Sequence, residues 1–368
     1  MSQVLGILGG GQLGCMLHAA ATRLGITVHI SEPNAEAPGM QLPGAIPADD
    51  WHDAARKLGE VASVITWERE DLDPAIGEGL PLVPRAELLA ATQDRLGYKQ
   101  ALADLGIATA DWFNARDERD ADAVLAKLNL PVMVKARRGG FDGRGQQIAR
   151  TRDELVSALN DYAATGAIVE ALVPFDDEFA ALITRGHDGT VVHYPLTFTR
   201  QEDGQLAWAL APHPNLDALE DWGLQVATAI AEHFGHVGTM AVECFRIGDK
   251  AVVNEIAPRV HNSGHWTIEG ASTSQFENHV RAVLGLELKV PTSRGVSLLR
   301  NCIGSMPEVA DAPDVFVHDY RKQARPRRKV GHVTLCAADE ASLAQRIAAL
   351  PASLRAGLPA SGDICQAQ

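Results

Sequence analysis

The chain has 368 residues, 46% of them apolar and 22% charged, and a net charge of -14. That length buries a sizeable core in two or three domains, and the acidic balance argues against nucleic acid or an anionic membrane as a general partner. No apolar run approaches the roughly 18 residues of a membrane span, no signal-like segment precedes Val4, and five scattered cysteines (Cys15, Cys244, Cys302, Cys336, Cys365) read as free thiols, so a cytoplasmic protein is expected.

Val4 to Leu8 is a short apolar strand, followed by Gly9-Gly10-Gly11-Gln12-Leu13-Gly14. Leu13, Met16, Leu17, Ala20 and Leu24 recur at helical spacing, Gly25 ends the helix, and Thr27 to Ile30 is the next strand. This βαβ unit opens with G-x-G-x-x-G on Gly9, Gly11 and Gly14. Glu32 stands near where a ribose-binding acid belongs, so the stretch alone reads as a nucleotide or dinucleotide site. The physics is broader, because a helix N-terminus approached closely by backbone suits any phosphate. A helix from about Asp50 to Leu58 and a strand from Val61 to Thr66 continue a doubly wound pattern. The strand runs into Trp67-Glu68-Arg69-Glu70, which puts Glu68 at a strand's carboxyl end, where open α/β sheets bind ligands. An exposed acidic loop accounts for it equally well. A helix from Asp94 to Leu105 carries Arg95 and Lys99 one turn apart, and on spacing alone a charged outer face is the simpler reading.

From about Asp111 the character changes. A helix from Ala121 to Leu128 leads into Pro131-Val-Met-Val-Lys135-Ala, a strand with a lysine at its end. The next nine residues, Arg137 to Gly145, hold four glycines and three arginines. Such a loop is a cationic flap, rich in backbone N–H groups, that can fold over phosphates. Thr151-x-x-Glu154 is a capping box, and strands follow from Ala167 to Val173 and from Phe175 to Thr184, which suggests a small lid domain.

Asp188-Gly189 and Glu202-Asp203-Gly204 mark hairpins of an antiparallel sheet with strands at Val191 to Phe198 and Leu206 to Ala211. A long helix, roughly Leu216 to Phe234, brings the chain to two apolar runs that each end in a carboxylate, Glu243 and Glu255. The turn Gly248-Asp249-Lys250 lies between them. A three-residue loop sets the two glutamates opposite each other on one face, where like charges repel unless a cation lies between them. Paired oxygen ligands beside phosphate and water are what magnesium requires. A solvated hairpin face is the plain alternative, and Arg259, Asn262 and His265 so close by favour magnesium and phosphate. A helix from Ser272 to Leu284 follows, then strands at Val296 to Cys302, Val315 to Tyr320 and Val330 to Cys336. Arg321, Lys322, Arg325, Arg327, Arg328 and Lys329 put six positive charges in nine residues of an acidic chain, either a guarded edge strand or a phosphate site.

Taken together, GGGQLG at 9–14, DRLGYKQ at 94–100, GGFDGRGQ at 139–146, NEIAPRVHNSGHWT at 254–267 and RKVGH at 328–332 resemble the ATP-grasp superfamily. Within it they resemble the N5-carboxyaminoimidazole ribonucleotide synthetase family, over the whole chain. The resemblance implies an α/β and α+β fold with a doubly wound pre-ATP-grasp domain (1–110), a lid domain (111–185) and a C-terminal antiparallel-sheet domain with the magnesium site (186–368). It implies ATP-dependent carboxylation of 5-aminoimidazole ribonucleotide by bicarbonate, through carboxyphosphate, in a cytoplasmic homodimer of purine biosynthesis, with no nucleic-acid or membrane partner.

Residue by residue, the resemblance makes Arg95 and Lys135 contacts to ATP. Gly140, Phe141, Asp142, Gly143, Arg144, Gly145 and Gln146 become the flap, and Glu170, Ala171, Leu172 and Val173 the adenine edge. Glu178 becomes the ribose ligand. Glu243 and Glu255, with Asn254 beside them, resemble the magnesium site. Lys135, Arg259, His265 and Glu68 are the implied catalytic set. Arg259 and the loop of Asn262, Ser263 and His265 would hold bicarbonate or carboxyphosphate, and Gln12, Leu13, Lys322, Arg328 and Lys329 the ribonucleotide. Arg327 stands where the family usually has glycine, and Cys15 where it often has arginine. Two other readings use fewer of these residues. One is a formate-dependent glycinamide ribonucleotide transformylase-like ligase, against which the HNSGHWT loop speaks. The other is an NAD-binding oxidoreductase, which leaves the flap, the carboxylate pair and the basic run without a task.

Overall fold

The computed structural model describes residues 3–140, 145–309 and 312–358. Its strands form three sheets in chain order. The first is parallel, with β1 (Val4–Leu8), β2 (Thr27–Glu32), β3 (Ala45–Pro47) and β4 (Val64–Trp67) arranged β3-β2-β1-β4. Leu5, Ile7 and Leu8 are all fully buried, as a parallel strand covered on both faces requires, and this explains an unbroken apolar run in place of alternation. Helix α1 (Gln12–Arg23) turns Leu13, Leu17, Ala20 and Ala21 inward. Helix α2 (Trp51–Val61) starts at Asp50, whose carboxylate accepts the Asp53 N–H at 2.8 Å. Helices α3 (Ala86–Gln93) and α4 (Arg95–Asp104) carry the chain to the second sheet.

That sheet is small and antiparallel. It holds β5 (Trp112–Ala115), β6 (Val132–Ala136), β7 (Gln146–Ala149) and β8 (Ala167–Ala171) in the order β5-β8-β6-β7. Helices α5 (Ala121–Lys127) and α6 (Arg152–Asp161) share a core with it. Thr151 caps α6 by accepting the Glu154 N–H at 3.2 Å, as its spacing predicts.

The third sheet has nine strands: β9 (Asp177–Arg185), β10 (Val191–His193), β11 (Thr197–Glu202), β12 (Gln205–Ala211), β13 (Gly238–Ile247), β14 (Lys250–Ala257), β15 (Val296–Ile303), β16 (Val315–Asp319) and β17 (Lys329–Ala337). Its order is β14-β13-β9-β11-β12-β15-β17-β16, with β10 added to β9. Phe179, Phe198, Trp208, Met240, Val242, Leu298 and Val333 fill its core beneath α7 (Glu220–His233). Two short helices, α8 (Thr267–Gly270) and α9 (Gln275–Val283), follow the hairpin; α9 packs against α1 and joins the first sheet to the third.

Three expectations change. The strand placed in the lid at Phe175 to Thr184 is β9 of the nine-stranded sheet, so the small sheet ends at Ala171 instead of residue 185. The single strand expected over Val191 to Phe198 is two, because Tyr194-Pro195-Leu196 breaks it: proline offers no N–H, and the Leu196 N–H bonds the Glu220 carboxylate at 2.8 Å. The long helix starts later, at Glu220, after a 3-10 stretch over Pro214–Leu219. Cys15, Cys244, Cys302 and Cys336 are free thiols. Among the described residues no helix is long and apolar enough to cross a membrane.

Candidate active site

Glu243 and Glu255 face each other across β13 and β14. The loop between the strands is one residue shorter than the sequence suggests, since Ile247 pairs with Lys250, and a bulge between Glu243 and Cys244 restores the register. Burial pushes the Glu243 carboxyl up to about 8, and the neighbouring carboxylates of Glu255 and Glu178 add to the rise. Arg95 reaches Glu255 at 3.2 Å, but burial and its carboxylate neighbours still outweigh the nearby cations at Glu243, and a divalent cation fits the hard oxygens of the pair. Two protein carboxylates leave other coordination positions for phosphate oxygens and water. Among the described residues no three His, Cys, Asp or Glu side chains gather round one metal position.

The cleft beside this hairpin has an open volume of about 550 Å³ and is lined from all three sheets. On one wall Lys135, at the end of β6, places Nζ 3.1 Å from Asn254 Oδ1 and 2.7 Å from Glu170 Oε2. Arg95 is buried, contrary to the outer face its spacing suggested. Its guanidinium donates to the carbonyls of Ala136 and Gly140, both at 2.8 Å, and to Glu255 Oε1 at 3.2 Å. Asp94, just before it, accepts from Arg137 and Arg138, which hold its carboxyl below the usual carboxylate range. The stem of the flap is therefore tied to the start of α4. Gly140 and Gln146 reach the cleft, Gly145 adopts a left-handed φ of 67°, and Phe141, Asp142, Gly143 and Arg144 lie outside the described residues. Glu170, Ala171, Leu172 and Val173 line the same wall with Glu178, whose carboxyl burial raises to about 7 against the pull of Arg200.

The opposite wall comes from the first sheet and the basic run. Glu68 emerges at the end of β4, and its two oxygens accept the N–H groups of Gly11, at 2.5 Å, and Gly14, at 3.1 Å. The positive end of α1 is thus met by a carboxylate of the chain itself. A Cβ on Gly11 would come within 2.5 Å of Glu68 Oε1, and one on Gly14 within 2.3 Å of the Gly9 carbonyl, so the glycines serve this close packing. Glu32 accepts the N–H groups of Gly10 and Asn34, which makes it a loop brace instead of the ribose ligand a dinucleotide site needs. Gln12 and Leu13 line the cleft; the Gln12 side-chain oxygen accepts from the Lys322 ammonium, which lies 5.8 Å over the Tyr320 ring. Lys329 lines the cleft too. Arg328 does not, because its guanidinium turns to the Gln323 carbonyl at 3.3 Å. Arg327 has a φ of 61°, a left-handed conformation that a glycine would adopt without strain.

The 259–265 loop closes the floor. Arg259 Nε lies 2.6 Å from Glu70 Oε1, and His261 Nε2 lies 3.4 Å from Glu243 Oε1. Asn262 lines the cleft, but Ser263 and His265 do not: both are buried beneath it. His265 Nδ1 is 3.0 Å from the Asn262 amide nitrogen and 3.2 Å from the Tyr320 hydroxyl, and burial drives its pKa well below the ordinary histidine value. It supports Asn262 from behind and is placed wrongly for contact with a reactant. Glu70, Lys99 and His261 were missed. The spacing rule that puts charges on outer faces concealed Lys99, and the WERE and RVH strings were the available signals for the other two.

Two antiparallel sheets close on a cleft that holds a lysine-ended strand, the two ends of a glycine-rich loop and a pair of strand-borne glutamates, which defines an ATP-dependent ligase of the ATP-grasp class. Family models match in three consecutive stretches: the ribonucleotide synthetase preATP-grasp domain over residues 1–93, the ATP-grasp domain over 100–276 and the phosphoribosylaminoimidazole carboxylase C-terminal domain over 297–346. The chain belongs to the N5-carboxyaminoimidazole ribonucleotide synthase family of purine biosynthesis. It is 38% identical to the Pseudomonas aeruginosa synthase, covering 96% of this chain and 99% of that one, and 36% identical to that of Escherichia coli, covering 95% and 94%. The Thermus thermophilus synthetase structure superposes with a TM-score of 0.90 at 39% identity, covering 96% of this chain and 99% of that one. The Aspergillus clavatus synthase in complex with ADP and 5-aminoimidazole ribonucleotide superposes with a TM-score of 0.82 at 30% identity, covering 92% and 94%.

Proposed function

We propose that this cleft carboxylates 5-aminoimidazole ribonucleotide with bicarbonate at the cost of ATP. The observation that carries the reading is the convergence, in one cleft, of Arg95 and Lys135, the Glu243–Glu255 pair and the Lys322–Lys329 wall. Lys135 and Arg95 hold the phosphates, the segment from Glu170 to Val173 receives the adenine edge, and Glu178 takes the ribose of ATP. Magnesium, held by Glu243 and Glu255 with Asn254 beside them, disperses phosphate charge when bound. Arg259 and Asn262 hold bicarbonate in line with the terminal phosphate, and Arg259, braced by Glu70, balances the charge that develops. A bicarbonate oxygen bonds to phosphorus as the bond to ADP breaks, which gives carboxyphosphate. The exocyclic amine of the ribonucleotide then bonds to the carboxyl carbon, inorganic phosphate leaves, and the amine gives up a proton. Gln12, Leu13, Lys322 and Lys329 orient the ribonucleotide for that attack. By resemblance the working protein is a cytoplasmic homodimer, which light scattering of the purified chain checks.

The test is ADP release. We expect it to require both bicarbonate and 5-aminoimidazole ribonucleotide, each added alone giving little. Equal release with formate and glycinamide ribonucleotide would transfer the protein to the other ligase class.

A further inference from the structure

Lys99 has no exposed surface and does not line the cleft, so nucleotide cannot touch it. Its ammonium lies 2.6 Å from Glu170 Oε1, while the other oxygen of that carboxylate lies 2.7 Å from Lys135 Nζ. Among the described residues Glu170 is the only carboxylate within ion-pair distance of either lysine. Burying a lysine is expensive, and an aliphatic side chain would fill the same space without an ion to desolvate. Packing alone therefore gives no reason for a lysine here.

Charge balance gives one. Lys135 paired only with Glu170 is neutral, and a neutral pair has little attraction for a polyphosphate. Lys99 behind Glu170 leaves the trio with one net positive charge, and that charge is exposed only through Lys135. It also prepares an exchange: when phosphate draws Lys135 away, Glu170 keeps a cation and is not left as a lone buried anion. Burial pushes the Lys99 ammonium down and the Glu170 carboxyl up, and the ion pair at 2.6 Å opposes both: Lys135 and Lys99 hold the Glu170 carboxyl down to about 2, so it stays ionised, and Glu170 pulls the Lys99 ammonium back up.

We propose that Lys99 is a positioning residue that sets the charge of the phosphate seat: acting through Glu170, it keeps Lys135 available to the phosphate chain of the nucleotide. The inference rests on the ATP-binding reading above. Its signature is affinity for phosphate separate from affinity for adenosine.

Calorimetric titration with ADP and with adenosine tests it on the wild type, Lys99→Met, Glu170→Gln and the double variant. The quantity read is the ratio of ADP to adenosine affinity, which cancels disturbance of the adenine edge. The trio then carries one positive charge in the wild type, none in Lys99→Met, two in Glu170→Gln and one in the double variant. Lys99→Met should lower the ratio on the order of tenfold or more, the effect of one unit charge acting through the protein interior. Glu170→Gln should keep it at or above the wild-type value, and the double variant should recover it. A double variant as weak as Lys99→Met, or a fall in Glu170→Gln, would show that Lys99 holds shape and not charge. If Lys99→Met does not fold, the other two variants decide by the same criteria. Failure of the wild type to bind ADP would overturn the ATP reading itself, whereas wild-type binding with equal ratios throughout overturns only the role of Lys99.

Discussion

Replacing Glu68 by glutamine changes one atom and separates two jobs of that side chain. The carboxylate uses both oxygens, one on the Gly11 N–H and one on the Gly14 N–H, in a place that is nearly closed to solvent. Glutamine has one acceptor, so one of these amides loses its partner and faces an NH2 group. Losing a hydrogen bond to a charged group costs about 1.5–3 kcal/mol, and the donor left in the interior adds a similar amount. Burial works against this, because it raises the Glu68 carboxyl even with two N–H groups pulling it down, and glutamine escapes that desolvation. The net local loss is about 1–3 kcal/mol, which makes amide exchange at the start of α1 roughly 5- to 150-fold faster. Native-state hydrogen exchange of Gly11 and Gly14 measures it, with the amides of α7 as an internal standard. Affinity for 5-aminoimidazole ribonucleotide should fall with it, because Gln12 and Leu13 sit on the loosened turn, while ADP affinity stays as it was. Unchanged protection at Gly11 and Gly14 would refute the account of the glycine turn.

Three further outcomes are expected. Lys329→Ala should weaken 5-aminoimidazole ribonucleotide binding roughly tenfold or more and leave ATP affinity nearly unchanged, by calorimetric titration; an equal loss for both ligands would misplace the site. Glu255→Gln should abolish turnover with magnesium yet leave ADP binding detectable, and normal activity at low magnesium would rule out its role as a ligand. His236 is fully buried and held down to about 4 by that burial, so the unfolded chain takes up protons at this position before the folded one does. The stability it contributes is present above pH 6.5 and is lost as pH falls towards 4, by about 2 kcal/mol at pH 5. Glu178 and Glu243, with raised values, run the other way, so the measurement is the stability gap between wild type and His236→Leu at pH 8 and at pH 5. That gap should shift in the variant's favour on acidification, and a constant gap would contradict it.

Elements with a strong period were legible in the sequence, and sites assembled from several elements were less so. The buried strand at Val4–Leu8 and the capping box at Thr151 followed from local pattern because local forces decide them. The pairing of Glu243 with Glu255 was anticipated from a three-residue loop, whereas the chain reaches it with a two-residue loop and a bulge, and no residue pattern announces a bulge. Arg95 and Lys99 were harder still. Amphipathic reasoning sends charges outward, and only Ala136, Gly140, Glu170 and Glu255, distant in sequence, make their burial tolerable. The HNSGHWT string pointed to the correct loop but not to the side chains that face the cleft, since a loop's orientation is set by what packs under it. Here that is Asn301 and His332 from β15 and β17, and Tyr320 just past β16, about 40 residues and more away.

The nine-stranded sheet has a mechanical consequence. Glu243 and Glu255 stand at one end of it and Lys329 belongs to β17 near the other, with β9, β11, β12 and β15 hydrogen-bonded between them. The ladder works as a fixed ruler: it sets the span between the Glu243–Glu255 pair and the Lys329 wall, and bending it would break several rows of hydrogen bonds at once. The small antiparallel sheet shares no ladder with it and meets it through loops and side-chain contacts such as that of Lys135 with Asn254, so it can shift without breaking a row of the nine-stranded ladder. The distance from the paired glutamates to the Lys329 wall therefore does not depend on how the small sheet is placed.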